Sequence, residues 1–263
     1  MQAKVPSATI DRRLNLARLV EARQACRPAP TWSAIFTKAY GVVAAGNAKL
    51  RTSYMSSPWP RFYEHHSSIA TINIDRELEN ERVILYAHVL NPEHLALSEI
   101  DAIINYYKNE PVDNICTYRC ARRMSMVPWP FRRLLWWAAL NMFGSQRCRH
   151  FGTFGISSVG CHGSGILKLT PLLTSTIHYG MFDTAGHVEM RLSFDHRVLD
   201  ASLAANALAE LESVLNGQIL DECLELAVPA ADRPNLNGRN VAWANGTKVP
   251  EELGMHARIE EPL

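Results

Sequence analysis

The chain has 263 residues, 47% hydrophobic and 20% charged, with a formal net charge of +1 when its ten histidines are neutral. Such a composition folds, which excludes a disordered polyelectrolyte, and the small net charge excludes nucleic-acid binding by a broad basic surface. The length fits one large domain or two small ones; the expectation here is a single domain over 1–226 and a tail over 227–263 rich in Pro, Asn and Gly.

From the N-terminus, Asn15 to Cys26 spaces Leu16, Leu19 and Val20 as a helix does, and Trp32 to Ala48 places Ile35, Phe36, Ala39, Tyr40 and Val43 on one helical face. Ser68 to Ile74 reads as a strand, as does the β-branched run Val83 to Val89. Helical spacing returns from Glu93 to Lys108 through Leu97, Ile100, Ile104 and Tyr107. This mixture predicts an α/β or α+β class, with a sheet covered by helices.

From Asn114 through Phe182 there is no Asp or Glu, but seven arginines and Lys168. Inside this cationic region, Pro128 to Phe143 reads as a short apolar helix flanked by arginines, with Trp129, Trp136 and Trp137. It is too short to span a bilayer. Three readings stay open: a core or subunit-contact helix, a peripheral membrane contact through 128–143, or a rim that holds the phosphates of a ligand.

Val188 to Phe194 alternates apolar and polar residues, the pattern of a half-buried strand. Extended by two residues, the same pleat puts His196 on the apolar side, where desolvation disfavours the charged ring and leaves a nitrogen able to take a proton. Asp200 follows, then a helix from Ser202 to Leu215 with Asn216-Gly217 as its expected stop. A histidine at a strand end can equally be structural, and Asp200 is well placed as a helix N-cap.

The run Ser193-Phe-Asp-His-Arg-Val-Leu-Asp-Ala201 resembles the D-H-R-x-x-D-G signature of the acyltransferase catalytic domain of 2-oxoacid dehydrogenase complexes. That family shares its fold and its H-x-x-x-D-G motif with chloramphenicol acetyltransferase. Gly152-Thr-Phe-Gly-Ile-Ser-Ser-Val-Gly160 is similar to the family's G-T-F-x-I-S-x-x-G segment and precedes the histidine at roughly the family's spacing. Val5 to Ile10 resembles its opening strand. The likeness covers about residues 4–226 and is weakest between 110 and 148.

The resemblance implies a chloramphenicol acetyltransferase-like α+β two-layer sandwich assembled as a homotrimer or a higher assembly of trimers. It implies His196 as general base and Ser157 as hydrogen-bond donor to the oxyanion, the two facing each other across a subunit interface. Ser158 is the alternative donor, Asp200 fixes the loop that presents the histidine, and Arg197 is an ion-pair or ligand-orienting group. Coenzyme A would serve as acyl-CoA substrate, through residues that the sequence does not name.

The motif glycine is Ala201 here, which would cost of order 1 kcal/mol if that position needs positive φ. The chain opens almost at the core, so no lipoyl group is expected on it; the acceptor is then a separate lipoyl protein or a thiol or hydroxyl compound, lipid-linked among the options. The alternative function is a non-catalytic scaffold or binding protein that keeps the trimeric fold.

Cys26, Cys116, Cys120, Cys148, Cys161 and Cys223 show no paired C-x-x-C spacing and read as free thiols of a reducing compartment. No secretory signal or membrane span is apparent, so a cytoplasmic location is expected, with peripheral membrane association as a variant. Neither His65-His66 nor Cys161-His162 has metal-ligand spacing, and no metal is expected.

Overall fold

The structure is a computed structural model and describes residues 6–78, 80–158 and 173–228. The first half runs β1 (Ser7–Asn15), α1 (Ala17–Ala25), α2 (Trp32–Gly46), β2 (Thr52–Met55), β3 (Arg61–Glu64), β4 (Ile69–Leu78) and β5 (Glu81–Leu90). Four helices follow: α3 (Leu97–Asn109), α4 (Cys116–Met126), α5 (Trp129–Asn141) and α6 (Gly144–Phe151). The chain then returns to the sheet through β6 (Phe154–Ser158), β7 (Ser175–Phe182) and β8 (His187–Asp195), and closes with α7 (Ala201–Val214) and α8 (Leu220–Ala227).

Six strands form one mixed sheet in the order β1-β8-β7-β6-β4-β5, with β6 parallel to both β4 and β7 and the other pairs antiparallel. The register separates the faces cleanly. One row across the sheet is Ile10, Leu192, Ile177, Ile156, Ile72 and Ala87. This aliphatic face joins the core with Phe36, Tyr40, Ile104 and Leu208 of α2, α3 and α7. One residue along, the pleat turns Asp11, Arg191, His178 and Ser157 to the opposite face. Two-residue alternation thus builds a helix-covered apolar layer and a polar face in one stroke.

Helix α2 is the central helix, capped by the Thr31 side chain, which accepts from Ala34 N at 3.2 Å. Its one buried cation, Lys38, pairs with Glu222 of α8. The expected strands and helices are present, with ends moved by a few residues. The expected stop at Asn216-Gly217 is overturned: a π-helical turn, Leu215–Ile219, joins α7 directly to α8. The reason is packing, since Leu215, Ile219, Leu220 and Cys223 are all buried and carry the apolar stripe onward. The tail beyond Val228, and residues 159–172 with Cys161, His162 and Lys168, lie outside the described residues.

Candidate active site

The end of β8 builds the turn that presents His196. Asp195 closes the strand and is buried; its backbone carbonyl accepts from Val198 N at 3.0 Å and Leu199 N at 3.1 Å. Val198 and Leu199 are buried as well, so the turn is anchored on both sides while His196 between them is exposed. The expectation that the pleat carries the His196 ring into an apolar environment is therefore corrected for the single chain. The strand ends one residue earlier, because the buried position goes to a paired carboxylate. The His196 backbone N–H is held by Pro6 O at 2.8 Å, which ties the turn to the start of β1.

Arg197 clamps the same turn. Its Nε and Nη2 donate to the Asp195 carboxylate at 2.9 and 2.6 Å, its backbone N–H donates to Oδ1 at 3.0 Å, and its guanidinium stacks 4.2 Å over the Tyr54 ring. Arg197 is thus an ion-pair residue that shapes the loop. Arg147 of α6 is buried nearby and donates to Tyr54 O at 2.9 Å; burial pushes its pKa down, and the Asp195 charge opposes that. Asp200 caps α7, its Oδ1 accepting from Leu203 N at 2.7 Å. Its role in the fold is the N-cap, which starts the helix right after the histidine loop.

Ser157 lies on β6, buried, with its Oγ accepting from Asn73 Nδ2 of β4 at 3.3 Å. That bond occupies an acceptor site of the hydroxyl and leaves its proton to be donated elsewhere. Ser158 ends the strand. Beside Ser157 across the ladder is His178, fully buried, with neither ring nitrogen bonded among the described residues. Burial first, then the Arg191 charge, pushes the His178 ring down to about 4, so it is neutral at pH 7.

The strand is entered through Gly152, whose φ is +82° and where a Cβ would lie 2.2 Å from Thr71 Oγ1. The glycine that opens the G-T-F motif is thus fixed both by conformation and by the close approach of β4.

The two halves do not meet within one chain. Ser157 shares a ladder row with His178 and Arg191, and His196 stands five residues beyond Arg191, about 16 Å further along the strand direction at roughly 3.3 Å per residue. They also lie two strands apart. Sequence reasoning singled out Ser157, His196, Arg197 and Asp200 but missed Asn73, Tyr54, Arg147 and His178. Asn73 had one local signal, a polar residue between Ile72 and Ile74; its nearness to Ser157 follows only from the parallel β4–β6 register.

The mixed six-stranded sheet with its helices has the fold of dihydrolipoamide acetyltransferase catalytic cores. The chain superposes with a TM-score of 0.57 on dihydrolipoamide acetyltransferase from Azotobacter vinelandii, at 16% identity over 82% of this chain and 84% of that one. In that enzyme a serine, a histidine and an asparagine were investigated for roles in the catalytic mechanism. Its serine and histidine stand further apart in sequence than Ser157 and His196 do, whereas its histidine-to-asparagine spacing equals that of His196 and Asp200.

A catalytic core of the 2-oxoacid dehydrogenase complex from Thermoplasma acidophilum gives 0.57 at 13% identity, over 82% of this chain and 89% of that one. The cubic core of a pyruvate dehydrogenase complex gives 0.54 at 15%, over 82% and 84%. No family profile and no curated protein sequence matches the chain.

Among the described residues no group of three His, Cys, Asp or Glu is placed to hold a metal, and no helix is long and apolar enough to cross a membrane. Among the described cysteines, Cys26, Cys148 and Cys223 are buried.

Proposed function

We propose that the protein is an acyltransferase that moves an acyl group between coenzyme A and a thiol or hydroxyl acceptor, at sites shared between the subunits of a homotrimer. The observation that supports the reading is the separation of Ser157, in the middle of the sheet, from His196, past the end of β8: each is held in place by its neighbours, and the two do not meet within one chain. The likeness to assembled catalytic cores supports the same arrangement.

In this reading the unprotonated ring nitrogen of His196 takes the proton of the acceptor as its sulfur or oxygen attacks the thioester carbonyl. The resulting oxyanion accepts the Ser157 O–H. When the tetrahedral intermediate collapses, the carbon–sulfur bond to coenzyme A breaks and the leaving thiolate recovers the proton from the imidazolium. Asp195, Arg197 and Tyr54 position the histidine, Asp200 sets the helix behind it, and Asn73 orients the serine. An exposed ring in the lone chain becomes a desolvated base only when a neighbouring subunit covers it.

The experiment is mass-spectrometric detection of the free coenzyme A and the acylated acceptor formed from a panel of acyl-CoAs with thiol and hydroxyl acceptors, since transfer to a thiol leaves the free-thiol count unchanged. Turnover that is lost in His196→Ala, with fold and assembly intact, is the expected result. No turnover by the wild-type protein with any donor and acceptor would instead favour the scaffold reading.

A further inference from the structure

Helix α5 turns an apolar stripe to the outside. Phe131, Leu134, Leu135 and Ala138 fall at the i, i+3, i+4, i+7 spacing of a single stripe, which a surface helix ordinarily turns to the core. Here Phe131, Leu134 and Leu135 are 63%, 60% and 47% exposed, and no residue of the helix is buried. At 3.6 residues per turn, Arg132 lies beside the stripe and Arg133, also exposed, on the far side of the same helix. Met126 and Trp129 before it and Phe143 after it are exposed too. The loop that carries exposed Trp59 is tied to the end of α5, with Ser57 N donating to Asn141 O at 3.1 Å and Ser56 Oγ to Asn141 Oδ1 at 2.7 Å.

We propose that α5 and its flanks dock the protein on an anionic lipid bilayer, with the apolar stripe at the boundary between headgroups and acyl chains and the arginines among the lipid phosphates. The charge pattern selects this occupant. From Asn114 to Phe182 the sequence has no carboxylate side chain, while Arg119, Arg123, Arg132, Arg133 and Arg149 stand on α4, α5 and α6. A second copy meeting this face about a twofold axis would set arginines against arginines, since such a contact presents the same patch from both sides. An anionic bilayer matches the apolar and the cationic parts together. The 13-residue helix is too short to cross the membrane and lies in its plane. This inference is independent of catalysis.

The test is flotation of the full chain with vesicles of phosphatidylcholine alone and of phosphatidylcholine and phosphatidylglycerol in equal parts, at low and high salt. Flotation with the anionic vesicles only, reversed by salt, is expected. A Leu134→Glu, Leu135→Glu variant, changed only at exposed positions, lowers the bound fraction at least about tenfold, and so does Arg132→Ser with Arg133→Ser. Light scattering shows an unchanged oligomeric mass in both variants. The inference is overturned by absence of flotation, by equal flotation with phosphatidylcholine alone, or by flotation that survives the glutamates. A changed oligomeric mass in the glutamate variant also overturns it, because the face is then a contact between copies.

Discussion

Asn73 reaches the proposed chemistry through one hydrogen bond to Ser157 Oγ, and the two residues separate orientation from donation. Ser157→Ala removes the oxyanion donor and is expected to lower kcat by about 100- to 1,000-fold. Asn73→Ala leaves the hydroxyl in place but unoriented, and the loss of a bond worth about 1 kcal/mol predicts a decrease of roughly tenfold or less. The double variant should be no worse than Ser157→Ala alone; steady-state kinetics of the three variants checks this, and additive losses would separate Asn73 from the serine.

Buried histidines set a second expectation at this scale. His65, bonded through Nε2 to Ser53 Oγ at 2.9 Å, and His178 are both driven down to about 4 from 6.5, chiefly by burial. Between those two values the unfolded chain binds the protons and the folded chain does not. Their contribution is therefore fully present above about pH 6.5 and is lost as pH falls towards 4, at up to about 1.4 kcal/mol per pH unit for each ring. Urea unfolding at about pH 7 and about pH 5 measures the loss, and His178→Asn should make the difference smaller.

At the scale of elements, α7 resolves the departure at the motif glycine. Ala201 is the first residue of that helix, and the only non-glycine residues with positive φ among those described are Asn80 and Asn91. The position does not call for glycine, so alanine carries no conformational penalty. Ala201→Gly should lower stability by up to about 1 kcal/mol, with no gain in activity.

Gly217 presents the converse case within the π-helical turn: a Cβ there meets nothing within 4 Å. Gly217→Ala should raise stability by roughly 0.5–1 kcal/mol. Chemical denaturation of both variants reports the signs, and a destabilised Gly217→Ala would return that residue to the part of a chain-breaker.

For the whole molecule, a site divided between copies has a consequence that no single-chain site shares. His196→Ala and Ser157→Ala each inactivate every site of a homotrimer. When the two variants are coexpressed and assemble at random, about a quarter of the interfaces join an intact histidine to an intact serine, and about a quarter of wild-type activity should return. A mixture as inactive as its parts would place the whole site within one subunit.

Local order along the chain was legible in the sequence. The period of α2, the alternation of β8 and the N-cap at Asp200 each depend on residues a few positions apart, where backbone geometry dictates which side chains share a face. The histidine motif and the serine segment could be picked out for the same reason. Tertiary structure alone decided what those segments meet. Asn73 stands by Ser157 because β4 and β6 pair in parallel, Tyr54 comes to Arg197 from a hairpin some 140 residues earlier, and α5 shows its apolar stripe to the outside. Contacts of that kind are set by register and packing between distant segments, which a local pattern does not encode.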